Sequence, residues 1–249
     1  MRESKAFIFI VVIVMILGLL SGGGWFVLKE ANYTVEQPLE QPPDKEPVLL
    51  SQDTLLNVPF TPQAPFGSWD NIVFQQGCEE ASIFMAMLWV EGKVASPREA
   101  AKAIEVLSRF EAKTYGEFRD TSAEDSVRLI RDYFHYENFE VRYDIGVEDI
   151  RHELASGNLV IAPVNGQKMG NPFYTPPGPI QHMVVIRGYD TKTKEFIVND
   201  PGTKRGEGFR YPEDILDQAL QDYETGYKEP IREVQTAMIT VKPPQGPVF

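Results

Sequence analysis

The segment from Cys78 to Glu91 limits the possible folds more than any other part of the chain. Its side chains are apolar nearly all round a helix, and the Gly92 that follows is typical of a helix C-terminus. A helix without a polar face is buried on all sides, so we expect other elements to pack around this one.

Two amphipathic helices are predicted next along the chain. Ser96, Pro97 and Glu99 combine an N-cap serine, a first-turn proline and a capping-box glutamate, which predicts a helix that runs from here to about Phe110. Apolar side chains at helical spacing predict a second helix at residues 122–136.

The pattern then changes from helices to strands. Besides a short strand at residues 55–60, the predicted strands are Phe139–Tyr143, Leu159–Val164, 183–186, 196–198 and 235–241, with shorter helices at 147–156 and 212–223. Helices that come first and an antiparallel sheet that follows predict an α+β fold rather than a doubly wound parallel sheet.

The N-terminal segment, residues 1–30, is predicted to be a transmembrane anchor. Residues 6–28 carry no charge, and about 20 apolar residues span the hydrocarbon core of a bilayer. Arg2 and Lys5 precede this stretch, so we expect the N-terminus in the cytoplasm and the rest of the chain outside the cell membrane. The alternative is a cleaved signal peptide, after which the domain is secreted.

Residues 31–54 are rich in Pro, Glu and Gln and show no apolar periodicity, which predicts an extended linker. The folded domain is therefore expected at residues 55–249. Hydrophobic residues make up 43% of the 249 residues, which is enough to form a hydrophobic core.

Composition also excludes several classes of function. The chain has 36 acidic and 24 basic residues and a net charge of −12, which argues against nucleic acid as a partner because phosphate binding needs clustered Lys and Arg. One cysteine forms no internal disulfide and no multi-cysteine zinc site. No motif for a nucleotide, a metal or a dinucleotide is present, so no metal and no cofactor is expected.

Cys78 is the first candidate for chemistry. A thiol at a helix N-terminus meets aligned N–H groups and the positive end of the helix dipole, and both favour the nucleophilic thiolate. The neighbouring Glu79 and Glu80 oppose ionisation of that thiol. The alternative interpretation of Cys78 is a small buried hydrophobic residue, which is common for free cysteines.

His182 and Asp200 are the candidates for a base and its partner. His182 opens a predicted strand, and Asp200 ends the strand that is expected to pair with it, so the register could bring the two side chains together. A carboxylate there would orient the imidazole. Asn199 competes for this third position, and the sequence from Asn199 to Gly202 also favours a turn.

An acyl-transfer site also needs donors for an oxyanion. The N–H of Cys78 is one candidate, and the side chains of Gln63, Gln75 and Gln76 are the others.

At this point the motifs resemble a known family. They are Val58-Pro59-Phe60-Thr61-Pro62-Gln63, Cys78 at the start of a buried helix, the run from His182 to Asp190, and Asn199-Asp200-Pro201. Together they resemble the papain-fold cysteine peptidases related to bacteriocin double-glycine leader peptidases (cysteine peptidase family thirty-nine).

That resemblance implies a papain-like α+β fold, with a helical N-terminal part packed on a C-terminal antiparallel sheet. It implies that Cys78 is the nucleophile, His182 the general base, Asp200 the orienting residue and Gln63 the oxyanion donor. The family often has Gly-Pro after the nucleophile where this chain has two glutamates, and the spacer from Gln63 to Cys78 is longer here, so Gln75 and Gln76 stay open as oxyanion donors.

The function expected from these observations is a membrane-anchored, extracytoplasmic cysteine peptidase or amidohydrolase. It would cleave a peptide or amide bond of a peptide or protein substrate through a thioester. The alternatives are a catalytically inactive papain-like domain that binds peptide or cell-wall material, and a transpeptidase that uses the same thioester. The aromatic residues near the motifs are expected either to shape an apolar cleft or to belong to the core; they are Phe66, Trp69, Phe173 and Tyr174.

Overall fold

The computed structural model of the protein describes residues 53–226 and 234–244. The predicted anchor, residues 1–30, lies outside the described residues, as does the predicted linker except for its last two residues. In the described part of the chain, no helix combines the length and the apolar character that crossing a bilayer would need.

An antiparallel sheet forms the centre of the described domain. The strands are β1 (Thr54–Leu55), β2 (Phe139–Tyr143), β3 (Leu159–Val164), β4 (His182–Asp190), β5 (Glu195–Asn199), β6 (Phe209–Pro212) and β7 (Ala237–Val241). Six of them follow the order β2-β7-β3-β4-β5-β6, and β1 pairs with the end of β4. Strand β4 therefore lies inside the sheet, between β3 and β5.

The helices lie on both sides of this sheet. They are α1 (Ile72–Gln75), α2 (Cys78–Glu91), α3 (Pro97–Thr114), α4 (Ala123–Asp132), α5 (Val147–Ala155), α6 (Gly166–Met169) and α7 (Glu213–Ala219). The start of α3 has the predicted capping box, in which Ser96 Oγ accepts from the Glu99 N–H and Glu99 Oε2 accepts from the Ser96 N–H.

The two faces of the sheet pack into two hydrophobic clusters, and β4 contributes to both. Met183 and Val185 join the cluster that contains the side chains of α2 and α4, whereas Val184 and Ile186 join the cluster that contains those of α5 and α7. This is the alternation expected of a strand whose two faces are both covered. Helix α2 is buried along its whole length except for its last residue, Glu91, and the half-buried side chains of Phe84 and Trp89.

The α+β class is confirmed, and the helix Cys78–Glu91 and the strands Phe139–Tyr143 and Leu159–Val164 have the predicted bounds. The predicted strand at residues 55–60 is wrong in its bounds, because only Thr54 and Leu55 pair with β4. Proline has no N–H to donate to a ladder, and Pro59 falls within that segment. The short elements α1, α6 and β6 were not predicted.

Candidate active site

Cys78 is the first residue of α2 and is held there by a closely packed glycine. A Cβ atom at Gly77 would lie 2.7 Å from the carbonyl oxygen of Val73 and 2.9 Å from Cγ2 of Ile104. Such distances leave no room for a side chain, so the chain enters α2 in close contact with α1 and α3. The Cys78 side chain that follows is buried, with 4% of its surface exposed.

The thiol of Cys78 contacts a carboxylate on its own helix. Its Sγ donates a hydrogen bond to Oε2 of Glu79, at 3.0 Å. Burial, the charge and hydrogen bond of Glu79 and the charge of Asp120 raise the pKa of the Cys78 thiol well above its usual value. The backbone of Met183 acts in the opposite direction and lowers that pKa. The helix N-terminus was expected to favour the thiolate, but burial and neighbouring negative charge have the larger effect and favour the neutral thiol.

His182 and Asp200 are joined directly. Nε2 of His182 lies 2.8 Å from Oδ1 of Asp200, and both side chains are buried. The register of β4 and β5 places Asn199 opposite Val185, so Asp200 leaves the end of β5 level with the start of β4. The geometry suits a carboxylate that orients an imidazole ring.

The second oxygen of Asp200 accepts three more hydrogen bonds. Oδ2 accepts from Nδ2 of Asn171 at 3.0 Å and from the hydroxyl groups of Tyr174 and Tyr211, each at 2.6 Å. Burial alone would raise the pKa of Asp200, but the charge and hydrogen bond of His182 and the hydrogen bonds of Tyr174 and Tyr211 lower it to about 2. Asp200 is therefore held as a carboxylate although it has no solvent contact.

Tyr174 also fixes the position of the His182 ring. The two rings meet edge to face, with centroids 5.6 Å apart. Gly202 packs against both rings, because a Cβ atom there would lie 2.9 Å from Cε1 of Tyr174 and 3.0 Å from Cε1 of His182. The imidazole is thus enclosed by the Tyr174 ring, the Asp200 carboxylate and the backbone at Gly202, where there is no room for a side chain.

Asn199, the competing partner of His182, has a different role. Its Nδ2 donates to the carbonyl oxygen of Val58 at 3.1 Å, and its Oδ1 accepts from the N–H of Gly208 at 3.1 Å. The side chain therefore ties β5 to the segment before the site, and the position beside His182 belongs to Asp200.

Gln63 is buried, and its amide points at the main chain of α1. Nε2 donates to the carbonyl oxygens of Phe74 and Gln75, both at 3.1 Å, and the Gln63 N–H donates to the carbonyl of Pro201 at 2.9 Å. The side chain thus holds α1 in place directly before Cys78. Gln75 is exposed and Gln76 is half-buried. The N–H of Cys78, at the first position of α2, has no carbonyl partner within its own helix.

Cys78 contacts the backbone of Met183, the residue that follows His182 on β4. The backbone of Met183 acts on the Cys78 sulfur, and its carbonyl oxygen accepts from Oγ of Ser82 on α2 at 3.2 Å. No hydrogen bond joins the Cys78 sulfur to the His182 ring in the described part of the chain. The structure therefore pairs His182 with Asp200 and places Cys78 beside the start of strand β4.

Three buried carboxyl groups near Cys78 were not expected. Glu79, Glu80 and Glu111 are fully buried, although acidic side chains are almost never buried without a partner. Tyr223 donates to Oε1 of Glu79 at 2.8 Å, and Ser108 donates to Oε1 of Glu80. The run of two glutamates after a cysteine in an apolar helix is the only signal of this cluster in the sequence.

Aromatic side chains lie exposed on the loops around the site. The exposed fractions are 62% for Phe66, 40% for Trp69 and 42% for Phe173, so these three belong to the surface and not to the core. Phe173 packs edge to face on Phe209 and lies under the guanidinium of Arg205. They form apolar surface on the loops that precede Cys78 and His182.

Comparison with known proteins gives a matching family and several solved structures that are similar. The profile of the Peptidase_C39 like family matches residues 55–231. Among solved structures, one described as a "putative C39-like peptidase from Bacillus anthracis" is 18% identical, with a TM-score of 0.48. It covers 77% of this chain and 98% of its own. The search of curated proteins gave no match.

Proposed function

The chain belongs to the Peptidase_C39 like family, and on that premise we propose that it is an extracytoplasmic, membrane-anchored enzyme that cleaves a peptide or amide bond through a thioester. The family match confirms the expected papain-like α+β fold and the class of a cysteine peptidase-like hydrolase. It also implies a peptide or protein as the substrate.

The observation that carries this proposal is the buried His182–Asp200 pair beside the helix that begins at Cys78. In the proposed reaction, the Cys78 sulfur attacks the carbonyl carbon of the scissile bond and forms a thioester. His182, oriented by Asp200, exchanges protons with the leaving amine and with the water that hydrolyses the thioester. The Cys78 N–H is a proposed donor to the oxyanion, with Gln63 as the proposed side-chain donor once its amide turns from α1.

Loss of hydrolysis on mutation tests the proposal. The full chain, purified in detergent, is incubated with casein and with a mixture of peptide aminomethylcoumarides, and the products are followed by mass spectrometry and fluorescence. Wild-type protein is expected to hydrolyse at least some of these substrates, whereas Cys78→Ala and His182→Ala are expected to hydrolyse none. Hydrolysis by Cys78→Ala at the wild-type rate would refute the nucleophile.

A second candidate function is a non-catalytic domain that binds peptide or cell-wall material. One observation favours it. The Cys78 thiol is hydrogen-bonded to Glu79, and the raised pKa of this thiol disfavours the nucleophilic thiolate. Acylation of the single cysteine separates the two candidates, because an enzyme forms a thioester with an activated ester and a binding domain does not.

The location outside the membrane is supported by the uncharged stretch at residues 6–28 and the two basic residues before it. Residues 1–54 fused to alkaline phosphatase, which is active only outside the bacterial cytoplasm, test this location. We expect an active, membrane-bound fusion, and the same fusion without residues 6–28 is expected to be inactive. An inactive fusion with residues 1–54 intact would contradict the proposal, and an active but soluble one would indicate a cleaved signal peptide.

A further inference from the structure

Glu79 touches the reacting atom of the proposed nucleophile. Its Oε2 accepts the hydrogen bond of the Cys78 thiol at 3.0 Å, and its Oε1 accepts that of the Tyr223 hydroxyl at 2.8 Å. The Glu79 side chain has no exposed surface, and Cys78 is 4% exposed. The carboxyl group is therefore fixed at both oxygens, with one of them aimed at the sulfur.

Among the described residues, the ionisable groups that interact with Glu79 are acidic or neutral side chains. They are Cys78 and Glu80 on its own helix, Glu111 on α3, Asp120 before α4 and Tyr223 after α7. Burial and the charge of Asp120 raise the pKa of Glu79 to about 7, against hydrogen bonds from Cys78 and Tyr223 that lower it. A base is most effective when its pKa lies near the working pH, and buried glutamates are tuned in this way in active sites.

We propose that Glu79 is a catalytic residue, the acceptor of the Cys78 proton, so that the nucleophile is the Cys78–Glu79 pair. The inference rests on the proposed function, since it assigns a role in the same reaction. Once Glu79 is ionised, the pair holds one proton and one negative charge. Movement of the proton from sulfur to Oε2 creates the nucleophile without adding charge to a buried site.

The protons balance through the whole cycle. In acylation the S–H proton passes to Glu79, the sulfur–carbon bond forms, and the carbon–nitrogen bond breaks as the amine takes a proton from the His182 imidazolium. In deacylation, water gives a proton to His182 and its oxygen bonds to the acyl carbon. The sulfur then leaves and recovers its proton from Glu79. Asp200 stabilises the His182 imidazolium at the steps of the cycle in which it takes part.

Glu79→Gln tests the role, because the amide keeps the shape of the side chain but does not accept the proton. The measured quantity is the rate at which p-nitrophenyl acetate acetylates Cys78, followed by p-nitrophenolate release and by peptide mass between pH 5 and 9. In wild-type protein we expect this rate to rise through about pH 7 as Glu79 ionises. In Glu79→Gln this rise should vanish, and the rate at pH 8 should fall by roughly 10²-fold or more.

Glu80→Gln is the matched control, because Glu80 is the next buried carboxyl on the same helix and its hydrogen bond goes to Ser108. It is expected to acetylate at the wild-type rate. Tyr223→Phe supplies a second variant in case Glu79→Gln does not fold. It removes a hydrogen bond that lowers the pKa of Glu79, so the rise in rate should move to higher pH.

An acetylation rate in Glu79→Gln equal to or above that of wild type would overturn the inference, since Glu79 would then only suppress the thiolate or fill space. An unmoved pH profile in Tyr223→Phe would overturn it as well. The proposed function fails by a different result, which is acetylation of the protein at the wild-type rate in Cys78→Ala.

Discussion

Oδ1 of Asp200 lies 2.8 Å from Nε2 of His182, and both oxygens of this carboxylate accept further hydrogen bonds. Oδ1 also accepts the N–H of Gly202 at 3.0 Å, and Oδ2 accepts from Asn171, Tyr174 and Tyr211. A buried carboxylate with five donors stays ionised and does not rotate. The proposed base is thus oriented by a group that is itself fixed.

Asp200→Asn should lower kcat by roughly 10²–10⁴-fold. An amide accepts at one atom only and carries no charge to stabilise an imidazolium. The measurement is kcat on a peptide substrate, with circular dichroism to show that the fold is kept. A folded Asp200→Asn protein with wild-type kcat would show that the pair is not part of the reaction.

Tyr211→Phe should raise the pH at which the Asp200 carboxyl group gains a proton, measured as the titration profile of the carbon-13 chemical shift of that group. The Tyr211 hydroxyl lowers the pKa of Asp200, so its loss lets the carboxylate gain a proton at a less acidic pH. Tyr189→Phe is the control, because Tyr189 belongs to the same hydrophobic cluster but donates to Glu213 instead. Equal profiles for the two variants would contradict the role of Tyr211.

Gly202→Ala should lower the catalytic activity strongly and the free energy of unfolding only modestly. The added methyl group would meet the Tyr174 and His182 rings, and overpacking costs about 1–3 kcal/mol while it moves the rings apart. Gly146→Ala is the matched change in open space, since the nearest atom to its Cβ, Oδ1 of Asp217, is 3.9 Å away. Full activity in Gly202→Ala would show that the ring position is not critical.

The buried carboxyl groups predict that the domain is less stable in mild base than in mild acid. Burial, then the charge of Glu79, raises the pKa of Glu80 from 4.5 to about 8. The neutral form is thus favoured in the folded state, so its stabilisation is complete below about pH 4.5 and is lost as the pH rises through 8. Glu80→Gln should therefore be more stable than wild type at pH 8.5 by roughly 1–3 kcal/mol.

Urea denaturation of both proteins at pH 5.5 and 8.5 measures this difference in the free energy of unfolding. The two proteins should differ much less at pH 5.5. A wild-type protein that becomes more stable as the pH rises from 5.5 to 8.5, with no gain in Glu80→Gln, would contradict the burial of these groups.

Gln63→Ala should lower both stability and activity. It removes two hydrogen bonds to the carbonyls of α1, each worth about 1 kcal/mol, and so loosens the segment that leads into Cys78. Gln75→Ala changes an exposed side chain and should leave the free energy of unfolding unchanged. If Gln75→Ala instead lost activity at full stability, Gln75 would be the better assignment for the oxyanion donor.

Sequence reasoning found the elements with a continuous pattern and missed those without one. The helix Cys78–Glu91 is mostly apolar and is followed by a glycine, and the strand Leu159–Val164 is an unbroken apolar run, so their bounds could be predicted. Helix α6 has four residues, too few to show a helical period. The choice between Asn199 and Asp200 could not be made, because a register shift at Ile186/Gly188 alters which residues face each other across β4 and β5.

The candidate site was predictable where the residue type itself signals the chemistry, as for Cys78, His182 and Asp200. Its supporting residues were not, because Asn171 and Tyr211 lie in separate segments and reach Asp200 only through side-chain hydrogen bonds. The burial of Glu79 was also beyond the sequence, since a glutamate in the first turn of a helix ordinarily faces solvent.

The most direct test of the account is the mass of the peptide that contains Cys78 after brief reaction of the full chain with p-nitrophenyl acetate. The protein has one cysteine, so a thioester has a single possible position. The account predicts an acetylated Cys78 that is formed rapidly and is then lost by hydrolysis, and that His182→Ala greatly slows this loss. An unmodified Cys78 in a protein that still hydrolyses peptides would contradict it.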